Sequence, residues 1–169
     1  MIILVNDANV LIDFIKLELL HPFFSLNLVF HTTSLILNEL YSDQIERLQE
    51  FIDNGRLIVN ELSADELSDV VALQTEKPQL SEQDCSAIVC AVKINGDILT
   101  SDNNLRKFAK TKGVSIKGHL WIFDRLVEYQ AISGALAIEK LKELREIINP
   151  RLGLPRLECE NRIADWDIL

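Results

Sequence analysis

Short apolar runs alternate along this chain with longer segments in which apolar residues recur at helical spacing. Five runs are short enough for strands, namely residues 2–5, 28–32, 57–60, 97–100 and 114–116. Every segment between them is long enough for a crossover helix, which is the connection that parallel strands require. The pattern therefore predicts an α/β fold, with a parallel sheet of five strands and helices on both faces.

Capping residues and helix breakers define the expected helices. The first should end before Pro22, and the second should be capped by Thr33 or Ser34. A capping box, Ser63-x-x-Glu66, opens a later helix. The expected helices are residues 8–19, 35–40, 43–53, 63–75, 81–95, 103–112, 120–130 and 134–148.

The chain beyond these elements departs from the alternation. Prolines and a glycine at positions 150–155 predict irregular structure, followed by a short helix that holds Trp166. We therefore divide the chain into a domain over residues 1–148 and a tail over residues 149–169 that docks on the domain or on a partner. The apolar tail residues either pack on the chain's own core or form a surface for a partner or for a homodimer: Leu154, Leu157, Ile163 and Trp166.

The composition fits one packed domain. The chain has 169 residues, of which 48% are hydrophobic, and a mean hydropathy of +0.13. It has no apolar run of about 18 residues and no signal-peptide pattern, so we expect a cytoplasmic protein without a membrane span. The three cysteines lack C-x-x-C spacing, which argues against disulfides and zinc. The isolated histidines, His21, His31 and His119, are expected to be structural.

The net charge and the distribution of charge along the chain point in different directions on nucleic-acid binding. A net charge of −9 discourages nucleic-acid binding, which depends on cationic side chains. Residues 105–119, however, contain only basic charged residues: Arg106, Lys107, Lys110, Lys112 and Lys117. This basic strip is either a phosphate-binding surface or a solvated helix face.

Four acidic residues recur at the ends of predicted strands or early in the helices that follow. Asp7 ends the first strand and Asp102 directly follows the fourth, and these strands are expected to be central neighbours. Glu39 lies one to two turns into the helix after the second strand, and Asp84 lies in the first turn of the helix that Ser81 opens. Each acid alone has a simple explanation as a helix cap or an exposed charge.

Together the four carboxylates favour a metal site. Two of them about 4 Å apart would repel each other by roughly 4 kcal/mol at an effective dielectric constant of about 20, so a cluster requires protons or cations. Hard divalent ions such as Mg²⁺ and Mn²⁺ prefer carboxylate, carbonyl and water oxygens. Asn9 and Asn104, each two residues beyond an aspartate, would add neutral oxygens at the same edge.

Four motifs follow one another at spacings that carry a family resemblance. They are Asp7-Ala-Asn9-Val-Leu-Ile, Asn38-Glu39-Leu40, Leu80-Ser81-Glu82-Gln83-Asp84, and Leu99-Thr100-Ser101-Asp102 followed by Asn104-Leu105-Arg106. With this order the chain resembles the PIN domain nucleases, and within them the small prokaryotic proteins that include VapC-type toxins. The resemblance covers residues 1–125 and implies a PIN-like three-layer α/β/α fold. Asn104 departs from it, because some members carry a further acid there.

The resemblance implies a metal-dependent endoribonuclease that hydrolyses RNA with Mg²⁺ or Mn²⁺. Asp7 and Asp102 would be the principal metal ligands, and Asp84 would complete or bridge the site. Glu39 would bind metal directly or through water, or orient the nucleophile. Four residues would support these ligands: Asn9, Thr100, Ser101 and Asn104.

The resemblance also implies two binding partners, an RNA substrate and an antitoxin protein. Arg106 and Lys107 are expected to contact RNA backbone phosphates, which position a strand without reading its bases. A VapC-type protein would in addition have an antitoxin that covers the acidic pocket.

Three other functions compete with the nuclease. A phosphotransferase of the haloacid dehalogenase type also begins with a strand and a D-x-D signature, but here the third position is Asn9. A receiver domain needs an aspartate at the end of the third strand, where this chain has Asn60. The third alternative is a catalytically silent PIN-like module that binds RNA or protein.

Overall fold

The computed structural model describes residues 1–169 and contains one five-stranded sheet in which every pairing is parallel. The strands are β1 (Ile3–Asn6), β2 (Val29–Thr33), β3 (Leu57–Asn60), β4 (Asp97–Leu99) and β5 (Ile116–Lys117). Helices flank the sheet, and the predicted three-layer α/β/α fold is confirmed. The predicted strands overlap the observed ones, although β5 begins two residues later than expected, at Ile116.

The strand order places a topological switch point at the centre of the sheet. The order is β3-β2-β1-β4-β5, so the chain moves outward from β1 in one direction and then crosses to the other side of β1 at β4. Connections on the two sides of β1 therefore diverge beyond the carboxyl ends of β1 and β4. In open parallel sheets, such a crevice is where ligands bind.

Ten α-helices and one π-helical turn complete the fold. The helices are α1 (Ala8–Lys16), α2 (Leu20–Ser25), α3 (Ser34–Leu37), α4 (Ser42–Asp53), α5 (Ala64–Glu76), α6 (Glu82–Ile94), α7 (Asn103–Thr111), α8 (His119–Glu128), α9 (Gly134–Glu143) and α10 (Arg156–Asp167), and a π-helical turn (Leu144–Ile148) extends α9. The capping box of Ser63 and Glu66 is present at the start of α5. None of these helices is both long and apolar enough to cross a membrane.

The first predicted helix, over residues 8–19, is wrong in its extent. Helix α1 ends at Lys16, and Glu18 turns the chain with a φ of 59°. A further helix, α2, then runs through Pro22, although the sequence predicts that helical structure stops before this proline. Proline is tolerated there because it lies in the first turn of α2, where its missing N–H would have had no helical partner.

The helix after β2 is shorter than predicted. Helix α3 ends at Leu37, so Glu39 lies just beyond the helix and not inside it. The backbone N–H groups of Glu39 and Leu40 donate to carbonyls three residues back, at 3.1 and 3.0 Å. These tighter turns replace the continued α-helix.

The tail packs on the rest of the chain through its last helix. Trp166 is 5% exposed, and its ring stacks on Phe123 at a centroid distance of 6.0 Å. Arg162 donates from Nε and Nη2 to the Asp124 carboxylate of α8 at 2.8–3.0 Å. Leu154 and Ile163 are partly buried against the core, whereas Leu157 is exposed.

Candidate active site

Asp7 lies at the switch point and is held there from the neighbouring strand. It directly follows β1, and its backbone N–H donates to the Leu99 carbonyl at 3.1 Å. It occupies the N-cap position of α1, yet its side chain makes no capping hydrogen bond. Instead Oδ2 of Asp7 accepts from the Thr100 hydroxyl at 2.7 Å. The side chain of this buried aspartate therefore does not cap α1, although Asp7 occupies the N-cap position.

The Thr100 hydroxyl connects Asp7 to the loop that carries Asp102. While its hydrogen donates to Asp7, its oxygen accepts from the Asp102 backbone N–H at 3.1 Å. Asp102 caps α7, since its Oδ1 accepts from the Leu105 N–H at 2.8 Å. That cap uses one carboxylate oxygen of Asp102. The sequence predicts that Thr100 supports the site, and the structure places its hydroxyl between the two aspartates.

Asp84 and Glu39 face the same region from α6 and from the end of α3. Asp84 forms the expected capping box with Ser81, in which the two reciprocal hydrogen bonds are both 3.0 Å. Burial raises the pKa of Asp84, and the charge of Asp102 raises it further. Partial burial and the charge of Asp84 likewise raise the pKa of Glu39. The four acids therefore act on one another electrostatically, although they come from distant parts of the chain.

Asp7 is the most strongly perturbed carboxyl group. Burial is the largest cause that raises its pKa, from 3.8 to about 7. The Thr100 hydrogen bond opposes this shift, and the charges of Asp84 and Glu39 add to it. A carboxyl group that titrates near neutral pH in a crevice is a common feature of functional sites.

These four carboxylates form no ion pairs, although Arg151 lines the same cavity as Asp102. None of the salt bridges in the structure involves Asp7, Glu39, Asp84 or Asp102. This all-oxygen donor set matches the preference of Mg²⁺ and Mn²⁺. No three Asp, Glu, His or Cys side chains lie close enough together to hold one ion between them. Mg²⁺ does not require such a cage, since it usually keeps several waters and binds through one or two carboxylates.

The predicted asparagines lie beside Asp102 in a cavity of about 350 Å³. The cavity is lined in part by Asn9, Asp102 and Asn104. Ser101 also lines it, but its hydroxyl lies 2.7 Å from His119 Nδ1 and has no hydrogen bond to the acidic residues. The structure therefore places Asn9 and Asn104 next to an acidic residue, and it places Ser101 in a different hydrogen-bond network.

A family comparison adds independent information to this geometry. The sequence model of the family DUF3368, which is described as a PIN domain, matches residues 3–153. The chain belongs to the PIN domain family. PIN domains are generally nucleases that use divalent metal ions, and they typically bind RNA. No curated protein matches the chain.

The match spans the acidic region of this PIN domain and most of its fold. All four acids lie within residues 3–153, and the resemblance inferred from the motifs is confirmed at the level of the family. Much of the tail lies beyond the matched residues, including all of α10.

Sequence reasoning missed a buried network centred on His119. His119 is fully buried, and its Nε2 lies 2.8 Å from Oδ2 of Asp13, which is only 3% exposed. Asn149 donates to both oxygens of Asp13 at 3.2–3.3 Å, and the Ser101 hydroxyl accepts from the His119 backbone N–H at 3.1 Å. The network joins α1, the start of α8 and the residue directly before Asp102.

One signal for this network was present in the sequence. Asp13 lies on the buried face of α1, among Val10, Phe14 and Leu17. An acid on an apolar helix face requires a buried partner. The sequence did not show which of the basic or amide side chains that partner would be, because His119 is 106 residues away.

Arg106 and Lys107, the predicted phosphate contacts, lie on α7 next to the acidic region. Both line a cavity of about 560 Å³ that also includes Ser101 and His119. Neither residue takes part in a salt bridge. Their positive charges therefore remain available to a bound anion.

The raised pKa of Asp7 predicts that cation binding to this PIN domain depends on pH. Below about pH 7 the metal-free protein keeps Asp7 protonated, so a divalent ion must displace that proton. We expect the affinity for Mn²⁺ to rise with pH by up to about tenfold per unit and to level off above about pH 7. Isothermal titration calorimetry across this range measures it, and an affinity independent of pH would contradict the expectation.

Proposed function

We propose that this PIN domain is a metal-dependent endoribonuclease that hydrolyses RNA phosphodiester bonds at an acidic cluster. This cluster consists of Asp7, Glu39, Asp84 and Asp102. The observation that supports the proposal most directly is the buried Asp7, whose pKa lies near 7 and whose neighbours Asp84 and Glu39 carry no basic partner. Hydrolysis of a phosphodiester requires an activated water and neutralisation of charge on the phosphate and the leaving oxygen. Bound Mg²⁺ or Mn²⁺ would supply both.

The roles proposed for the chain's own residues follow from their hydrogen bonds. Asp7 and Asp102 would be the principal metal ligands, and the Thr100 hydroxyl fixes the Asp7 side chain through Oδ2. Asp102 uses only Oδ1 in its cap, and Asp84 uses only Oδ2, so each keeps one oxygen for a cation. The carboxylate of Glu39 makes no hydrogen bond, and it would bind a metal-bound water or orient the attacking water.

Other polar residues would bind or orient the substrate. Asn9 and Asn104 line the cavity beside Asp102 and would contribute neutral oxygens or hydrogen bonds there. Arg106 and Lys107 would contact backbone phosphates of the RNA. Ser101 would act indirectly, because its hydroxyl is held by His119.

A narrower form of the proposal makes the protein the toxin of a toxin–antitoxin pair. It rests on the motifs shared with VapC-type proteins, and it would place the protein in the cytoplasm, where an antitoxin segment would cover the four acidic residues. The exposed Leu157 on α10 is one element available for a homodimer or a partner. Co-expression with the products of adjacent genes, followed by purification of a stable complex that no longer cleaves RNA, tests this form.

A second candidate is a catalytically silent PIN domain that binds RNA or protein. The observation that favours it is that no three acidic or histidine side chains lie close enough to hold one ion between them. Binding of RNA without any metal-dependent cleavage distinguishes this candidate from the nuclease.

The nuclease proposal is tested by a cleavage assay on unstructured single-stranded RNA. Purified full-length protein is expected to cleave an end-labelled RNA with Mg²⁺ or Mn²⁺ present, and to lose this activity when EDTA is added. Recovery after excess metal is restored separates metal dependence from denaturation. Cleavage by the protein that persists in EDTA at the wild-type rate would contradict the proposal.

A further inference from the structure

A second cavity, next to the one that Asp102 lines, is strongly basic although the protein as a whole is acidic. Its volume is about 560 Å³, within the range of about 300–1,000 Å³ that is typical of small-ligand sites. It lies between α7 with the β5–α8 turn on one side and the tail from Leu152 to Arg162 on the other. We call it the basic groove, and its charged lining residues are Arg106, Lys107, Lys110, Lys117, Arg162 and a single acid, Glu158.

Three of the five cations in the basic groove have no acidic partner. Arg162 is held by the Asp124 carboxylate, and Nζ of Lys117 lies 3.9 Å from Asp97. Arg106, Lys107 and Lys110, all on α7, take part in none of the salt bridges. On a chain with a net charge of −9, this local positive surface attracts an anion that the rest of the protein repels.

The basic groove continues into the cavity that contains Asp102. Four residues line both cavities: Ser101, Asn103, His119 and Leu152. Arg106 lies at this junction, because a Cβ atom added to Gly118 would be 2.9 Å from Arg106 Nη1 and 3.2 Å from Ser101 Oγ. The absence of a side chain at Gly118 therefore lets the guanidinium lie close to the residue that precedes Asp102.

We propose that the basic groove binds the phosphodiester backbone of single-stranded RNA on one side of the bond that is cut at the acidic cluster. This inference rests on the proposed ribonuclease function and names the path of its substrate strand. The carboxylates at the cleavage point repel a polyanion, so the flanking phosphates need cations close by, and Arg106, Lys107 and Lys110 provide them. Interactions of this kind position a strand without reading its sequence. The tail, from Leu152 to Arg162, forms the opposite wall.

Binding measured in EDTA separates the basic groove from catalysis. The anisotropy of a fluorescently labelled, unstructured RNA is recorded with the full-length protein over a series of salt concentrations. Lys107→Glu and Lys110→Glu are each expected to weaken binding several-fold for every RNA sequence. Removing one lysine–phosphate ion pair should also reduce the slope of log affinity against log salt by about 0.7. The matched control is Lys142→Glu, since Lys142 is exposed, forms no salt bridge and lines neither cavity.

Gly118→Ala provides a variant that leaves the charge unchanged. The backbone of Gly118 is extended, with a φ of −118°, so alanine can adopt the same backbone conformation. The new methyl group displaces the Arg106 guanidinium, the movable end of a long side chain. RNA affinity is expected to fall, while the urea midpoint stays close to that of the wild type.

The outcomes distinguish this proposal from the function on which it rests. RNA affinity that is the same in the wild type, Lys107→Glu, Lys110→Glu and Lys142→Glu would overturn the groove proposal, even if the wild type cleaves RNA. A wild type that binds RNA in the groove but never cleaves it would overturn the nuclease proposal and leave the strand path intact. Tighter binding of poly-glutamate than of RNA of matched charge would also overturn the proposal, in favour of an acidic protein partner.

Discussion

Asp7→Asn is expected to abolish RNA cleavage while the protein remains folded. The amide keeps the size of the side chain and still accepts a hydrogen bond from Thr100, but it lacks the negative charge that a cation needs. The loss should be on the order of 10²–10³-fold or more, the range for removing a group that stabilises a transition state electrostatically. Single-turnover cleavage with saturating Mn²⁺ measures it. Asp69→Asn, on the exposed face of α5, is the matched control and should cleave like the wild type.

The same substitution is expected to make the metal-free protein more stable at alkaline pH. The pKa of Asp7 is raised in the folded protein, from 3.8 to about 7, so folding favours its protonated form. Protonation of Asp7 therefore adds to the free energy of unfolding. This contribution is fully present below about pH 4 and is lost as the pH rises through about 7. Above that pH, the buried charge costs on the order of 4 kcal/mol.

Urea unfolding in EDTA at acidic and alkaline pH tests this. The asparagine side chain of the Asp7→Asn variant carries no charge, so the variant should match the wild type near pH 4 and exceed its free energy of unfolding above about pH 7. Equal stability of the two proteins at alkaline pH would show that Asp7 is not held in an unfavourable ionised state. A substitution that removes activity and adds stability is the behaviour expected of a residue kept for function.

Strand positions were predictable because each strand is a short apolar run between polar or glycine-containing boundaries. The caps at Ser63 and Ser81 also act locally, through hydrogen bonds to residues three positions away, and both were predicted correctly. The errors came where local signals conflict. Pro22 indicated a helix stop but lies in the first turn of α2. The apolar spacing that predicted a helix as far as Leu40 did not reveal the tighter turns after Leu37.

The placement of Asp7 and Asp102 at strand ends was predictable from the sequence, but their hydrogen bonds were not. The positions of Asp7 and Asp102 at strand ends follow from local pattern and parallel topology. The direction of the Thr100 hydroxyl, which links them, depends on the pairing of β1 with β4 and is visible only in three dimensions. The pairing of Asp13 with His119 could not be predicted from the sequence either, because two apolar helices bring these residues together from distant parts of the chain.

His119→Leu, which breaks the buried pair of Asp13 and His119, is expected to lower the free energy of unfolding more than any other single substitution proposed for this protein. His119→Leu would leave the buried Asp13 carboxylate with only the two longer hydrogen bonds from Asn149. Removing one partner of a buried pair costs about 3–5 kcal/mol, because the remaining charge is uncompensated. His21→Leu is the control, since the His21 side chain is exposed and lies 3.8 Å from Glu50, and it should change stability by no more than about 0.5 kcal/mol.

The double variant Asp13→Leu/His119→Leu separates charge burial from packing. Replacing both partners by apolar residues removes the unpaired charge, so most of the lost stability should return, as measured by urea unfolding of both single variants and the double variant. The double variant should still bind Mn²⁺ more weakly than the wild type. Its Ser101 hydroxyl no longer has the His119 ring to hold it, and Ser101 directly precedes Asp102 in the chain. Wild-type Mn²⁺ affinity in a stable double variant would show that the network supports the fold alone.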